Sequence, residues 1–283
     1  MAMRRRMSAV ICAGVVLAIA AGAGAQQSLP LEPSHNSGQS VTAAFEGWFQ
    51  NPDGTYSILI GYYNRNQREE LDIPIGPDNR IEPGGPDQGQ PTHFLPGRGW
   101  GLFTITVPKN FGDQQFTWTL TSNGQTTKVP VNIRPLWEIE PLKDATGNTP
   151  PTLRFENGAQ VQGPKPVTVS LSATQSTPLN LTVMASDDAK LVPGMRKPRT
   201  PPVTLTWSKY RGPGIVKFAN PRPPVEAAAA GEGAPFSGKA TTTATFSEPG
   251  EYTLYLVAND WSGRGGGGFV CCWTNALVKV SVK

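Results

Sequence analysis

Residues 240–260 read ATTTATFSEPGEYTLYLVAND. From Thr241 to Phe246 apolar and polar side chains alternate, Pro249-Gly250 supplies a tight turn, and alternation resumes from Tyr252 to Asn259. A period of two is the signature of a half-buried strand, and the turn makes the two strands a hairpin. Alternation puts Tyr252, Leu254, Leu256 and Ala258 on one face and Thr253, Tyr255 and Val257 on the other. The first set is predicted to face the core.

The same signal recurs outward from this hairpin. Strands are predicted at Thr152 to Phe155, Val167 to Ser172, Leu179 to Ala185, Val203 to Tyr210, Ile215 to Ala219 and Ala276 to Val282. Toward the N-terminus, Val41 to Gln50 and Tyr56 to Asn66 flank an Asn51-Pro52-Asp53-Gly54 turn. Phe116 to Ser122 and Thr126 to Asn132 flank Asn123-Gly124. Both are hairpin signals, and Leu102 to Val107 adds a further strand. The Gly- and Pro-rich stretch from Ile75 to Gly99 is expected to be a long surface loop. With 31 Gly and 28 Pro punctuating these runs, and no helical periodicity after the leader, the chain is expected to be all-β. We expect two consecutive β-sandwich domains, at 40–143 and 144–283, after a flexible lead at 26–39. The boundary falls in the proline-rich stretch from Pro135 to Pro151, where Trp137 and Ile139 mark a packed linker.

The C-terminal half resembles the polycystic-kidney-disease (PKD) repeat and its bacterial relatives. The likeness rests on Leu205-Thr206-Trp207-Ser208, then Gly212-Pro213-Gly214 and Val216-Lys217-Phe218. It continues in Glu248-Pro249-Gly250-Glu251-Tyr252 within the opening stretch and closes on Val278 to Val282, covering about Pro150 to Lys283. The commonest form of the repeat follows its Trp with an acidic, Gly-rich turn, whereas this chain has Ser208-Lys209-Tyr210. The resemblance implies an immunoglobulin-like sandwich and an extracellular interaction or spacer module. Sandwiches of that kind bury a Trp of strand C and a Tyr at the start of strand F, the places of Trp207 and Tyr252.

Arg4 to Arg6, the apolar run from Met7 to Ala21 and Ala23-Gly24-Ala25 have the three parts of a cleavable signal peptide at 1–25. The run is shorter than the roughly 20 residues that span a bilayer, so no membrane span is expected after cleavage. We therefore expect an exported protein, periplasmic or extracellular, with Cys12 lost with the leader. Taking the three leader arginines from the 25 Lys and Arg leaves 22 against 21 Asp and Glu. A mature charge so close to zero gives no electrostatic footprint for nucleic acid.

Strand direction brings the connections Asp187 to Pro202, Pro221 to Lys239 and Asp260 to Trp273 to one pole of the C-terminal sandwich, and the short ones to the other. Long loops on a rigid sandwich are where recognition sits, yet the same loops could wrap the junction with the N-terminal half. Trp261, Arg264 and Trp273 are the candidate binding residues there, beside Gly265 to Gly268, while the two Trp could equally close the end of the core. Cys271 and Cys272 are adjacent. Their spacing leaves open a vicinal disulfide, buried or free thiols, or one thiol turned outward to a partner, and no clustered His or further Cys completes a metal site. Asp187, Asp188 and Asp260 end strands at this pole, a weak alternative as calcium ligands against ordinary turn formation.

Two His, at 35 and 93, and no GxSxG, HExxH or P-loop pattern argue against catalysis, and no cofactor is implied. We expect a non-catalytic protein acting in adhesion or molecular recognition, its partner a protein or a polysaccharide. A carbohydrate-binding accessory protein is the alternative, with Trp48, Tyr62, Tyr63 and Trp100 as an aromatic platform. A secreted hydrolase is the third reading.

Overall fold

A computed structural model describes residues 35–191, 194, 196–229, 235–263 and 271–283. The leader, and with it Arg264 and Gly265 to Gly268, lies outside the described residues. The chain is almost entirely β. The N-terminal half carries β1 (Val41–Gln50), β2 (Tyr56–Asn64), β3 (Leu71–Asp72), β4 (Asn79–Glu82), β5 (His93–Phe94), β6 (Gly97–Val107), β7 (Gln115–Ser122) and β8 (Gln125–Asn132). Sheets β1-β2-β6 and β4-β7-β8 face each other, with a β3-β5 ribbon beside them. Ile58, Ile60, Ile81, Phe103, Trp118 and Leu120 fill the space between.

The C-terminal half carries β9 (Thr152–Phe155), β10 (Gln160–Gln162), β11 (Val167–Ala173), β12 (Leu179–Asp187), β13 (Thr204–Arg211), β14 (Val216–Phe218), β15 (Glu226–Ala227), β16 (Phe236–Phe246), β17 (Gly250–Asn259) and β18 (Trp273–Val282). One sheet runs β10-β9-β12-β16-β14, with β15 also on β16, and the other runs β11-β18-β17-β13. Only the β11–β18 pair among these is parallel. The hairpin expected at 240–260 is not one: β16 and β17 belong to different sheets and do not pair, so the Pro249-Gly250 turn is an arch that crosses the sandwich. Tyr252, Leu254, Leu256 and Ala258 are all buried in the core with Trp207, as alternation predicts. The Tyr252 hydroxyl donates to the Glu248 carbonyl at 2.9 Å and accepts from the Gly214 amide at 3.1 Å, tying the corner to the neighbouring turn. A Cβ on Gly212 would overlap the Tyr252 ring, and its φ of +139° favours glycine as well.

Three expectations change. The stretch from Ile75 to Gly99 is not a surface loop: it contains β4 and β5, and Asn79, Gln90, His93 and Phe94 are buried. Asn79 organises it, donating to the carbonyls of Ile73 and Pro91 at 2.9 and 2.8 Å and accepting from the Trp118 indole at 2.9 Å. A single buried amide thus replaces a ladder for polar backbone that must be satisfied. Residues 35–39, expected within a flexible lead, are tied to the Asn64–Glu69 turn, with Gln67 N–H on the His35 carbonyl and Gln39 N–H on Asn66. And the N-terminal half does not attach at the loop pole alone.

Residues 35–283 form one compact unit in which the N-terminal half lies along the outer face of β11-β18-β17-β13. Tyr210 and Tyr255 point away from their own sandwich and join the other half's core. Trp273 does the same with Phe49 and Leu59. At the lower end Arg211 grips Asp87 with two nitrogens, at 2.9 and 2.8 Å, and Tyr210 donates to the Gly89 carbonyl at 2.6 Å. At the middle Asn275 donates to the carbonyls of Gly101 and Pro164 at 2.6 and 2.9 Å. Gly101 is what lets the halves approach there: its φ is +41°, and a Cβ would stand 2.6 Å from the Trp273 ring.

Candidate functional site

The seam between the halves is not closed along its whole length. Where β6 bulges away from β2 between Ile60 and Tyr62, a cleft of about 320 Å³ opens against the outer face of β13 and β17. One wall is Arg98, Trp100 and the edge of Tyr62. The floor is Thr206, Ser208 and Asn259, and Arg222 stands on the far side. The alternation that sends Leu205 and Trp207 into the C-terminal core turns Thr206 and Ser208 outward to this floor.

Trp100 is 44% exposed, and the Arg98 guanidinium lies over its ring at 4.4 Å from the centroid. One indole face is thus occupied by a cation, while much of the ring stays accessible. Arg98 is fixed in turn by Glu46 at 2.6 Å and by the Tyr62 carbonyl at 2.7 Å. Burial pushes the Glu46 carboxyl up, and Arg98 and the Gly101 amide oppose it. Lys209 is held by Asp72 at 3.1 Å, and both His93 nitrogens meet carboxylates, Asp72 at 2.9 Å and Glu70 at 3.3 Å. By contrast, among the described residues the side chains of Thr206, Ser208, Asn259 and Arg222 have no protein partner. No carboxylate of the described residues lines the cleft.

The four-ring platform is corrected by this geometry. Trp48 (7% exposed) and Tyr62 (4%) are core residues: the Trp48 indole donates to the Arg134 carbonyl at 2.7 Å, and the Tyr62 hydroxyl accepts from Leu95 at 2.9 Å while its ring meets Phe94 edge-on. Tyr63 is exposed at 46%, on the strand position paired with Arg98, and does not line the cleft. Only Trp100 of the four is an accessible ring at a concave site.

The loop-pole candidates separate too. Trp273 is 2% exposed and packs in the seam, so it is not a surface anchor. Trp261 is half-buried against the proline-rich loop, its indole donating to the Thr200 carbonyl at 3.1 Å, and Arg264 lies outside the described residues. Cys271 and Cys272 are joined to each other across a cis peptide, with Cα atoms 3.2 Å apart, and both are buried.

Asp187 and Asp260 are buried at this pole with Asn148 of the linker. Asn148 donates to Asp260 at 2.6 Å, Asp260 also accepts from the Ser262 amide at 2.8 Å, and Asp188 accepts from Thr149. One Asp187 oxygen takes the Ala189 amide at 2.8 Å, while the other, like the Asn148 carbonyl oxygen, is buried without a partner. Burial first, then the neighbouring charges of Asp260 and Asp188, push the Asp187 carboxyl up to about 7. Asp260 is raised as well, chiefly by burial. Among the described residues no three His, Cys, Asp or Glu side chains are arranged to hold a metal ion. What the cluster does is pin the linker to the ends of β12 and β17.

Arg98, Thr206, Ser208, Asn259 and Arg222 escape a search of the sequence for motifs. The available signal was indirect. Tyr210, Tyr255 and Val257 are large apolar groups on the face opposite the core, which calls for a covering layer, and polar residues between them mark where that cover is incomplete.

No protein-family pattern matches the chain, and no curated protein does. Among solved structures it is similar to the D1-D2 fragment of Rst, with 9% identity over 87% of this chain and 100% of that one at a TM-score of 0.25. Domains 4 and 5 of the S-layer protein SbsC give 9% identity over 86% of this chain and 98% of that one, with a TM-score of 0.23. An endo-fucoidan hydrolase of glycoside hydrolase family 107 gives 11% identity over 89% of this chain and 32% of that one, with a TM-score of 0.23. No helix among the described residues is long and apolar enough to cross a membrane.

Proposed function

We propose that the protein is an exported, non-catalytic recognition protein that holds a glycan in the cleft between its halves. The observation that carries this reading is the convergence of one accessible indole, Trp100, with the unpartnered hydroxyl and amide groups of Thr206, Ser208 and Asn259. A sugar ring offers an apolar C–H face to an aromatic and a rim of hydroxyls to polar side chains. Thr206 and Ser208 are half-buried, so their hydroxyls stay open to a ligand that offers them hydrogen bonds. At about 320 Å³ the cleft is at the small end of the range for small-molecule sites, roughly 300–1,000 Å³, which suits a short saccharide segment better than a protein surface.

The non-catalytic part is supported by the lining. Glycoside hydrolysis uses two carboxyl groups across the scissile bond, and the cleft has none, while its one imidazole is committed to Asp72 and Glu70. Export is supported by the leader and by the paired cysteines, since disulfides persist in oxidising compartments. Recognition through the long loops is a second reading, favoured by the partly open Trp261 beside Pro201, Pro202 and Phe236.

The test is affinity electrophoresis through a panel of soluble polysaccharides, comparing the protein with Trp100→Ala. Removing a stacked ring should weaken retention about tenfold, the order expected for an aromatic contact plus its buried area. Retention unchanged in the variant refutes the cleft, and retention by no polysaccharide refutes the glycan.

A further inference from the structure

We propose that the glycan bound in this cleft is acidic, and that Arg222 receives its carboxylate or sulfate group; this rests on the glycan reading of the same cleft. The basic side chains around the cleft are not equivalent. Arg98 and Lys209 are each neutralised from behind, by Glu46 and Asp72, and His93 sits between Asp72 and Glu70. Of these four, Arg222 alone has no acidic partner among the described residues, and it is exposed.

Its backbone is also held in place. Pro221 and Pro223 flank it and fix φ on both sides. The Pro221 carbonyl accepts from the Trp207 amide at 2.8 Å, and the Arg222 amide donates to the Asn220 side chain at 2.9 Å. The backbone that carries the guanidinium is therefore anchored to β13, the strand that supplies Thr206 and Ser208. A guanidinium is a rigid fork of donors that matches carboxylate or sulfate with two parallel bonds. An unpaired fork on an anchored backbone, beside a site lined by no carboxylate of the described residues, meets no like-charged group that would repel an anion. A neutral sugar would leave that charge without a counterpart.

The experiment measures retention on polygalacturonate against its methyl ester, which keeps the backbone and removes the charge, and on a sulfated galactan against the unsubstituted polymer. The protein, Arg222→Gln, Trp100→Ala and Lys217→Gln are compared, the last removing an exposed positive charge on β14, outside the cleft lining. We expect an acidic polymer to be held about five- to tenfold more tightly than its neutral form, the range for one charge-assisted contact at a partly open site. Arg222→Gln should abolish that preference while leaving neutral binding in place, and Lys217→Gln should leave it intact. The arm that shows the preference tells carboxylate from sulfate. Equal retention of charged and neutral polymers, still lost in Trp100→Ala, overturns the acidic ligand and leaves the glycan reading standing. A preference lost equally in Lys217→Gln reduces it to general charge attraction and overturns the role of Arg222. If no polymer is retained, the glycan reading fails first.

Discussion

Asp187→Asn should stabilise the protein at pH 8 and do so only about a third as much at pH 5. In the folded state this carboxyl titrates near 7 instead of 3.8, because it is buried beside Asp260 and Asp188. Between those two values the native state holds a proton that the unfolded chain has released, so stability falls as pH rises from about 4 to about 7 and is level beyond. Three pH units correspond to about 4 kcal/mol as an upper bound. Asp188, with a quarter of its side chain exposed, brings solvent to the edge of the cluster, and screening of this kind lowers the figure to about 1–2 kcal/mol. The asparagine keeps an oxygen for the Ala189 amide and replaces the unpartnered Asp187 oxygen with a neutral amide nitrogen. For a chain of this size the gain is about 3–6 °C in melting temperature. Thermal unfolding followed by circular dichroism at pH 5 and pH 8 reads it directly. A variant that melts lower than the parent at pH 8, or that gains equally at both pH values, would refute the idea that a buried charge is what limits stability there.

Two further substitutions test the frame, and the cleft variants Trp100→Ala and Arg222→Gln test the site. Tyr252→Phe removes both hydrogen bonds of the corner and should cost about 1–2 kcal/mol in a denaturant titration; a loss within error would mean the hydroxyl is replaceable by water. Gly101→Ala forces a methyl group into the Trp273 ring at a backbone angle glycine favours, and should cost about 2–3 kcal/mol, with a normal melting temperature counting against a tight seam.

The sandwich of the C-terminal half was legible because alternation and turn chemistry act locally. Tyr252, Leu254, Leu256 and Ala258 take the core face, and Trp207 is buried among them, as the pattern of apolar residues requires. Less legible was everything decided by contacts between distant segments. Ile75 to Gly99 looks like a loop by composition and is ordered by Asn79, whose partners are spread from Ile73 to Trp118. Trp48 and Trp100 are alike in sequence, both beside glycine on a strand, and differ only in which face the β6 bulge and the 3₁₀ turn at Pro135–Trp137 leave open. Arg222 carries no motif at all. Its meaning comes from having no acidic partner among the described residues, a property of three-dimensional arrangement.

The sheet β11-β18-β17-β13 is covered on both sides, by its own sandwich within and by the N-terminal half without. A module with that property cannot be strung like a bead. Cut free, it would display Tyr210, Tyr255, Val257 and Trp273 as one apolar face, an invitation to self-association. In this chain the sandwich has exchanged portability for a fixed companion, and the gap left between the two is the place where a ligand can be held by both.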